Sequence, residues 1–286
     1  MRVGLVGAGR IGVLHAGTLT DDPQVAGLVV ADVDNGRARQ LADKVGAEVA
    51  AVDELFDGHA DAVVIATATS ARAELVHRAL DAGIPVFCEK PLAADVPGTR
   101  EVIVHASARG GSLQVGFQRR FDAGYRDFDS LRFVTGREVV SVFAVGGNKG
   151  ADYFASAGDV DTATVTLLLD DGTVATVLGG RYNGAGYDVR FEVHGSRAMI
   201  AVGLDEQAPL RSAERGVAWP DGRPYASFFE RFQAAYATEL AEFVALALGR
   251  IPNPCPPEDA LEALYVAEAA ALSLAERRPV QVDEVR

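Results

Sequence analysis

Residues 3–15, VGLVGAGRIGVLH, admit few folds. A short apolar run, then three glycines, then helical periodicity describe a buried strand, a tight turn and the opening of a helix. Gly7, Gly9 and Gly12 have the G-x-G-x-x-G spacing. Gly7 allows the turn out of the strand, Gly9 lets a pyrophosphate approach the backbone, and Gly12 lets helix and strand pack closely. The free N–H groups and the dipole at a helix start favour phosphate charge. Glycine turns follow many strands, so the context decides. Residues 28–31, LVVA, read as a second strand that delivers Asp32, twenty positions after Gly12. That is the spacing of an acid that holds a ribose hydroxyl. The expected arrangement is a dinucleotide site formed by Gly7, Gly9, Arg10, Ile11, Gly12 and Asp32. The Asp32 carboxylate suits a free 2′-hydroxyl and repels a 2′-phosphate, so NAD is favoured over NADP. Arg37 and Arg39 nearby weaken that preference.

Strand and helix patterns alternate through residue 116, as in a doubly wound parallel sheet. Further strands are expected at residues 62–66, 85–88 and 112–115, and helices at 35–45, 71–82 and 100–108. After Arg120 the grammar changes. Strands at 139–145, 162–169, 173–178, 189–194 and 198–202 follow in series, and Asp171-Gly172 marks a hairpin. One amphipathic helix is expected over 228–248, a second over 258–276, and an edge strand at 279–282. The reading is an α/β protein with a Rossmann domain over residues 1–118. A second α+β domain, with a largely antiparallel open sheet, spans 119–286.

With 286 residues, 49% of them hydrophobic, the chain can form one large or two modest domains with real cores. Its net charge of −13 argues against a nucleic acid or an anionic membrane as partner. Cys88 and Cys255 alone make neither a disulfide framework nor a zinc site. No signal peptide or membrane span is read, and the expected location is the cytoplasm.

Ligands of open α/β sheets sit beyond the carboxyl ends of the strands. Residues 67–70, with Thr67 and Thr69, end the third expected strand; they either line the nicotinamide side of the cleft or form an ordinary turn. Glu89-Lys90-Pro91 ends the next. Oxidation of an alcohol needs the hydroxyl proton to leave or the developing alkoxide to be stabilised. A lysine whose proton is loosened by burial and by a nicotinium charge can do either. The other reading is a surface lysine paired with Glu89. Cys88, inside a strand, reads as an inert thiol. Asp152, Asp159 and Asp161 read as loop acids without metal spacing.

GAGRIGVLHAGTL, the strand end AT-A-T, VFCEKPLA, VGFQRRFDAGY and RYNGAGYDVRFEVHGSRA together resemble the Gfo/Idh/MocA oxidoreductases, and among them the inositol 2-dehydrogenase-like members. The resemblance covers nearly the whole chain. It implies a Rossmann domain followed by an α/β domain whose open sheet mediates homo-dimers or tetramers. It also implies oxidation of polyol or sugar hydroxyls with NAD or NADP. Lys90 matches the family's catalytic lysine, with Glu89 and Lys90 beside the cofactor. Tyr187, in Gly186-Tyr187-Asp188, matches a tyrosine near the substrate, and Arg120 is expected there too. Tyr187 taken alone could equally be a strand aromatic packed on the core.

One family feature is absent. The family's Asp-x-x-x-His, in which His accepts the proton and Asp supports it, has no counterpart among His15, His59, His77, His105 and His194. The residues from Arg126 to Phe133 resemble the stretch that follows that histidine, with Arg126 standing where His would be. Only 37 positions separate Lys90 from Asp127, so a helix, a strand and a catalytic loop are missing after Tyr125. Arg126 is no substitute base, because guanidinium keeps its proton. Arg72 stands where the family commonly has His. The expectation is an NAD-dependent polyol dehydrogenase with a shortened second domain. The alternative is an NAD-binding relative with impaired catalysis, through natural loss or deletion.

Overall fold

The computed structural model describes residues 1–122 and 128–286, and Tyr125, Arg126 and Asp127 lie outside the described residues. The chain divides into two compact units, Met1–Phe121 with Ala234–Leu261, and Asp122–Gln233 with Glu262–Arg286. The sequence reading cuts the chain once, after residue 118. The structure instead returns a later segment to the first unit.

In the first unit β1 (Arg2–Val6) leads to α1 (Arg10–Asp21), β2 (Gly27–Ala31), α2 (Asn35–Val45) and a two-residue edge strand β3 (Glu48–Val49). A single turn, α3 (Val52–Glu54), precedes β4 (Ala62–Ile65), α4 (Thr69–Asp81), β5 (Val86–Glu89), α5 (Val96–Arg109) and β6 (Leu113–Gly116). The six strands are parallel in the order β3-β2-β1-β4-β5-β6. Strand order therefore reverses between β1 and β4, which opens the crevice where a dinucleotide binds in such sheets. Both faces of the sheet are covered, so its strands are apolar throughout rather than alternating. One face packs Val63, Ile65 and Val86 against Leu75, Val76 and Val102. The other packs Leu5, Val30, Val64 and Phe87 against Ala16, Leu19 and Leu41.

The second unit begins with α6 (Phe128–Thr135) and β7 (Val139–Gly147), followed by a short turn of helix, α7 (Tyr153–Ser156). β8 (Thr162–Leu169), β9 (Val174–Gly180), β10 (Phe191–His194) and β11 (Met199–Val202) come next. β7, β8 and β9 form an antiparallel sheet, and β12 (Val280–Gln281) pairs on its β7 edge, as expected of the terminal strand. β10 and β11 form a separate two-stranded ribbon rather than extending that sheet. The β7–β9 sheet buries Val142, Ala144, Val165, Leu167 and Leu169 on one face. The register places Phe143, Val145, Leu168, Val174 and Leu178 on the other face, where all five are exposed.

The single helix expected over 228–248 is broken. α8 (Phe228–Arg231) ends at Phe232, whose φ of −113° and ψ of 16° leave the helical region, and α9 (Gln233–Ala247) starts again. Leu240, Phe243 and Val244 of α9 pack into the first unit's core, which explains why that segment belongs there. α10 (Pro257–Glu276) closes the fold, and its Ser273 Oγ accepts from Ala144 N of β7 at 2.9 Å.

Candidate active site

The loop between β1 and α1 shows why its three glycines are glycines. Gly7 has φ +108°, and a Cβ there would lie 2.7 Å from the Ala66 carbonyl oxygen. A Cβ on Gly12 would lie 1.8 Å from the Gly7 carbonyl oxygen. A Cβ on Gly9 would meet nothing within 4 Å, so open space lies in front of that residue. Gly9 is also the N-cap of α1, with no side-chain cap and no acid in the first turn. α2 and α5, by contrast, are capped by the Asp34 and Asp95 carboxylates. The α1 N-terminus therefore keeps its N–H groups and positive dipole end for an anion. Arg10 is exposed at its first position, and Ile11 is half-buried.

Asp32 lies at the end of β2. It accepts Ala8 N–H through Oδ2 at 2.7 Å and Asp34 N–H through Oδ1 at 2.8 Å. Those bonds lock the carboxylate beside the glycine loop and leave it lone pairs for a hydroxyl. Arg37, which weakened the NAD preference in sequence, donates from Nε to Asp34 Oδ2 at 3.1 Å. That bond holds the Asp34 carboxyl below its ordinary range, aided by the Arg37 backbone N–H. Open space at Gly9, an uncapped helix start and a fixed acid together fit NAD.

Thr67, between β4 and α4, and Thr69, the first residue of α4, are half-buried. Arg72 ties this turn to the end of β5, donating to the Thr67 carbonyl from Nε at 3.0 Å and Nη2 at 2.9 Å, and to the Pro91 carbonyl from Nη1 at 2.9 Å. Lys90 follows β5 directly and is exposed, not the buried lysine that the sequence suggested. Glu89 is buried and turned inward, with Oε1 2.9 Å from Nε2 of the fully buried His15. That bond ties the end of β5 to α1, the helix that follows the glycine loop. Burial pushes the Cys88 thiol up to about 12, as an inert strand cysteine should be.

Arg120 lies just beyond β6. Its guanidinium is buried, 2.9 Å from Asp259 Oδ2, and donates to the Pro254 carbonyl at 3.2 Å. Those contacts brace Arg120 within its own unit. Tyr187 belongs to the second unit, where it is half-buried, its ring 6.4 Å from Phe228 and 6.3 Å from Phe232. Asp161 accepts the backbone N–H of Lys149 and Gly150, which hold its carboxyl low, so it fastens a loop. Among the described residues no group of three or more His, Cys, Asp or Glu could hold a metal ion, and no helix is long and apolar enough to cross a membrane.

Sequence reasoning missed Glu239 altogether and missed the contacts of Arg72 and His15. Glu239 had a signal: it is a charged residue between Tyr236 and Leu240 on the apolar stripe of α9, where acids are rare unless the fold uses them.

Two family descriptions match the chain. An NAD-binding Rossmann fold of an oxidoreductase family matches residues 1–117, and the C-terminal alpha/beta domain of the same family matches residues 120–282. The chain belongs to the Gfo/Idh/MocA oxidoreductase family. An inositol 2-dehydrogenase of Rhizobium meliloti is 33% identical, with 99% of each chain covered. A myo-inositol 2-dehydrogenase of Thermotoga maritima is 31% identical, covering 100% of this chain and 99% of that one. A crystal structure of a myo-inositol dehydrogenase from Corynebacterium glutamicum superposes with a TM-score of 0.85 at 29% identity, over 98% of each chain. The alignment to the Thermotoga maritima protein runs over 335 positions, of which this chain's 286 residues leave at least 49 to the relative alone. The family's Rossmann domain binds NAD, and the cradle described above supplies the matching chemistry here.

Proposed function

We propose that this family member is a dehydrogenase acting with NAD on a secondary hydroxyl of a cyclic polyol or sugar. The observation that carries this reading is Lys90 at the carboxyl end of β5, on the same sheet edge as an intact NAD cradle. The family relatives named as inositol dehydrogenases support the substrate class. Such an oxidation releases a hydride and a proton, and NAD when bound supplies the hydride acceptor. The chain must manage the proton. The Lys90 ammonium can stabilise the alkoxide, or as an amine it can take the hydroxyl proton and release it to solvent, to which it is open. Arg72 supports this by tying the Lys90-Pro91 turn to the Thr67 turn.

The test follows NADH absorbance with myo-inositol and a panel of cyclic polyols and sugars. Turnover is expected, with kcat/KM falling by about 10²- to 10⁴-fold in Lys90→Ala. Folded protein that binds NAD and turns over nothing on the panel would overturn it. A second reading, NAD binding with impaired catalysis, is favoured by the missing Asp-x-x-x-His and by the 49 or more alignment positions without a residue here. Turnover abolished by Lys90→Ala eliminates that reading. We also place the protein in the cytoplasm as a homo-oligomer. Phe143, Val145, Leu168, Val174 and Leu178, all exposed on one sheet face, support the oligomer, since a shared apolar face suits a protein contact.

A further inference from the structure

Glu239 has no part in the cradle or in the chemistry assigned to Lys90. Its side chain is 0% exposed, and neither carboxyl oxygen has a hydrogen-bond partner among the described residues. It sits on α9, which packs on the sheet face formed by Leu5, Val64 and Phe87. Gln114 of β6 donates to the Glu239 carbonyl at 3.2 Å, and among the described residues Gln114 Oε1 is itself without a partner. His15 of α1 lies against Tyr236 of α9, rings 5.8 Å apart, and bonds Glu89. Among the described residues, the charges acting on Glu239 are Glu89 and Lys90 at the end of β5, with His15 on α1 bonded to Glu89 and Tyr236 one turn back on its own helix.

A carboxylate without a donor does not stay ionised in such surroundings; it takes up a proton. Burial first, and the charge of Glu89 second, push Glu239 well above the ordinary carboxylate range, against the pull of Lys90. Glu89 already has His15 as a hydrogen-bond partner, whereas among the described residues neither carboxyl oxygen of Glu239 has one. The proton therefore belongs with Glu239.

We propose that Glu239 is a positioning residue that holds a proton and forms with Glu89 a buried carboxyl pair carrying one proton and one negative charge behind Lys90. Lys90 is then matched by a single buried anion. If the pair loses its remaining proton, two anions hold the Lys90 proton more firmly, and Lys90 becomes a poorer acceptor. The effect on Lys90 rests on the dehydrogenase reading above; the buried proton does not.

The test uses the full chain, with NAD added. Infrared spectra at neutral pH should show the carbonyl band of a buried carboxylic acid, sensitive to D2O and lost in Glu239→Gln. Wild type without such a band overturns the proposal, whatever the variant does. The folded protein keeps a proton that the unfolded chain gives up above the ordinary glutamate range. Stability from this group is full at low pH and is lost as pH rises from about 5 toward the raised folded value. Wild type should therefore lose melting temperature relative to Glu239→Gln between about pH 5 and pH 8. Parallel slopes overturn the proposal. In turnover, the ratio of Glu239→Gln to wild-type kcat should rise from about pH 6 to pH 9 while the ratio of KM stays level. A flat kcat ratio reduces Glu239 to packing and overturns its positioning role. Wild type that binds NAD without turnover strikes the dehydrogenase reading, while the infrared and melting results still decide the carboxyl pair.

Discussion

Gly9→Ala separates cofactor binding from folding. Gly9 has φ −77° and ψ −172°, a conformation open to any residue, and its added Cβ would touch no protein atom within 4 Å. The unfolded chain loses entropy on the change, which stabilises by about 0.4–1 kcal/mol. Alanine is a poorer N-cap than glycine by about the same amount. The two offset, so the melting temperature should move by less than about 4 °C. The methyl group fills the space a pyrophosphate needs. It would displace at least one charge-assisted bond from the helix N–H groups, worth about 1.5–3 kcal/mol. NAD affinity should fall about 10- to 150-fold, read by titration calorimetry, with thermal melts on the same sample. Gly12→Ala is the contrast. Its Cβ would lie 1.8 Å from a backbone oxygen, so α1 has to move, and stability and affinity should fall together. Affinity within twofold of wild type in Gly9→Ala would refute phosphate approach at that residue. A melting loss equal to that of Gly12→Ala would refute the open space.

Arg72→Leu removes three bonds between the Thr67 and Pro91 turns; kcat/KM should fall about tenfold or more with NAD binding still measurable, and unchanged kinetics would remove the tie from the site. Arg120→Met leaves Asp259 and the Pro254 carbonyl without this partner; denaturant unfolding should show a loss of about 2–3 kcal/mol, below the full buried-pair value because Asp259 keeps 26% of its exposure. Cys88 should resist thiol reagents at about pH 8 until the protein unfolds, because burial holds its proton to about 12, and fast labelling of folded protein would contradict this. Leu168→Glu, on the exposed sheet face, should shift sedimentation toward monomer, and an unaltered profile would move the oligomer contact elsewhere.

The parts legible from residues alone are those whose information is local. Gly7, Gly9, Gly12 and Asp32 form the cradle because turn, helix start and strand end fall at fixed intervals along one βαβ unit. The apolar runs of β1, β4 and β5 announced a sheet buried on both faces. The resemblance around Glu89-Lys90-Pro91 added the family. Tertiary structure decided the rest, where partners are far apart in the chain. Gln114 meets Glu239 across 125 positions, and Arg120 meets Pro254 across 134. The ion pair of Arg120 with Asp259 and the bond between Glu89 and His15 are likewise set by packing. The break at Phe232 and the docking of α9 on the first unit both follow from where apolar faces find cover, which helical periodicity alone cannot rank. A charged residue on an apolar stripe can be spotted in sequence, but only packing from three other elements makes Glu239 a place for a proton.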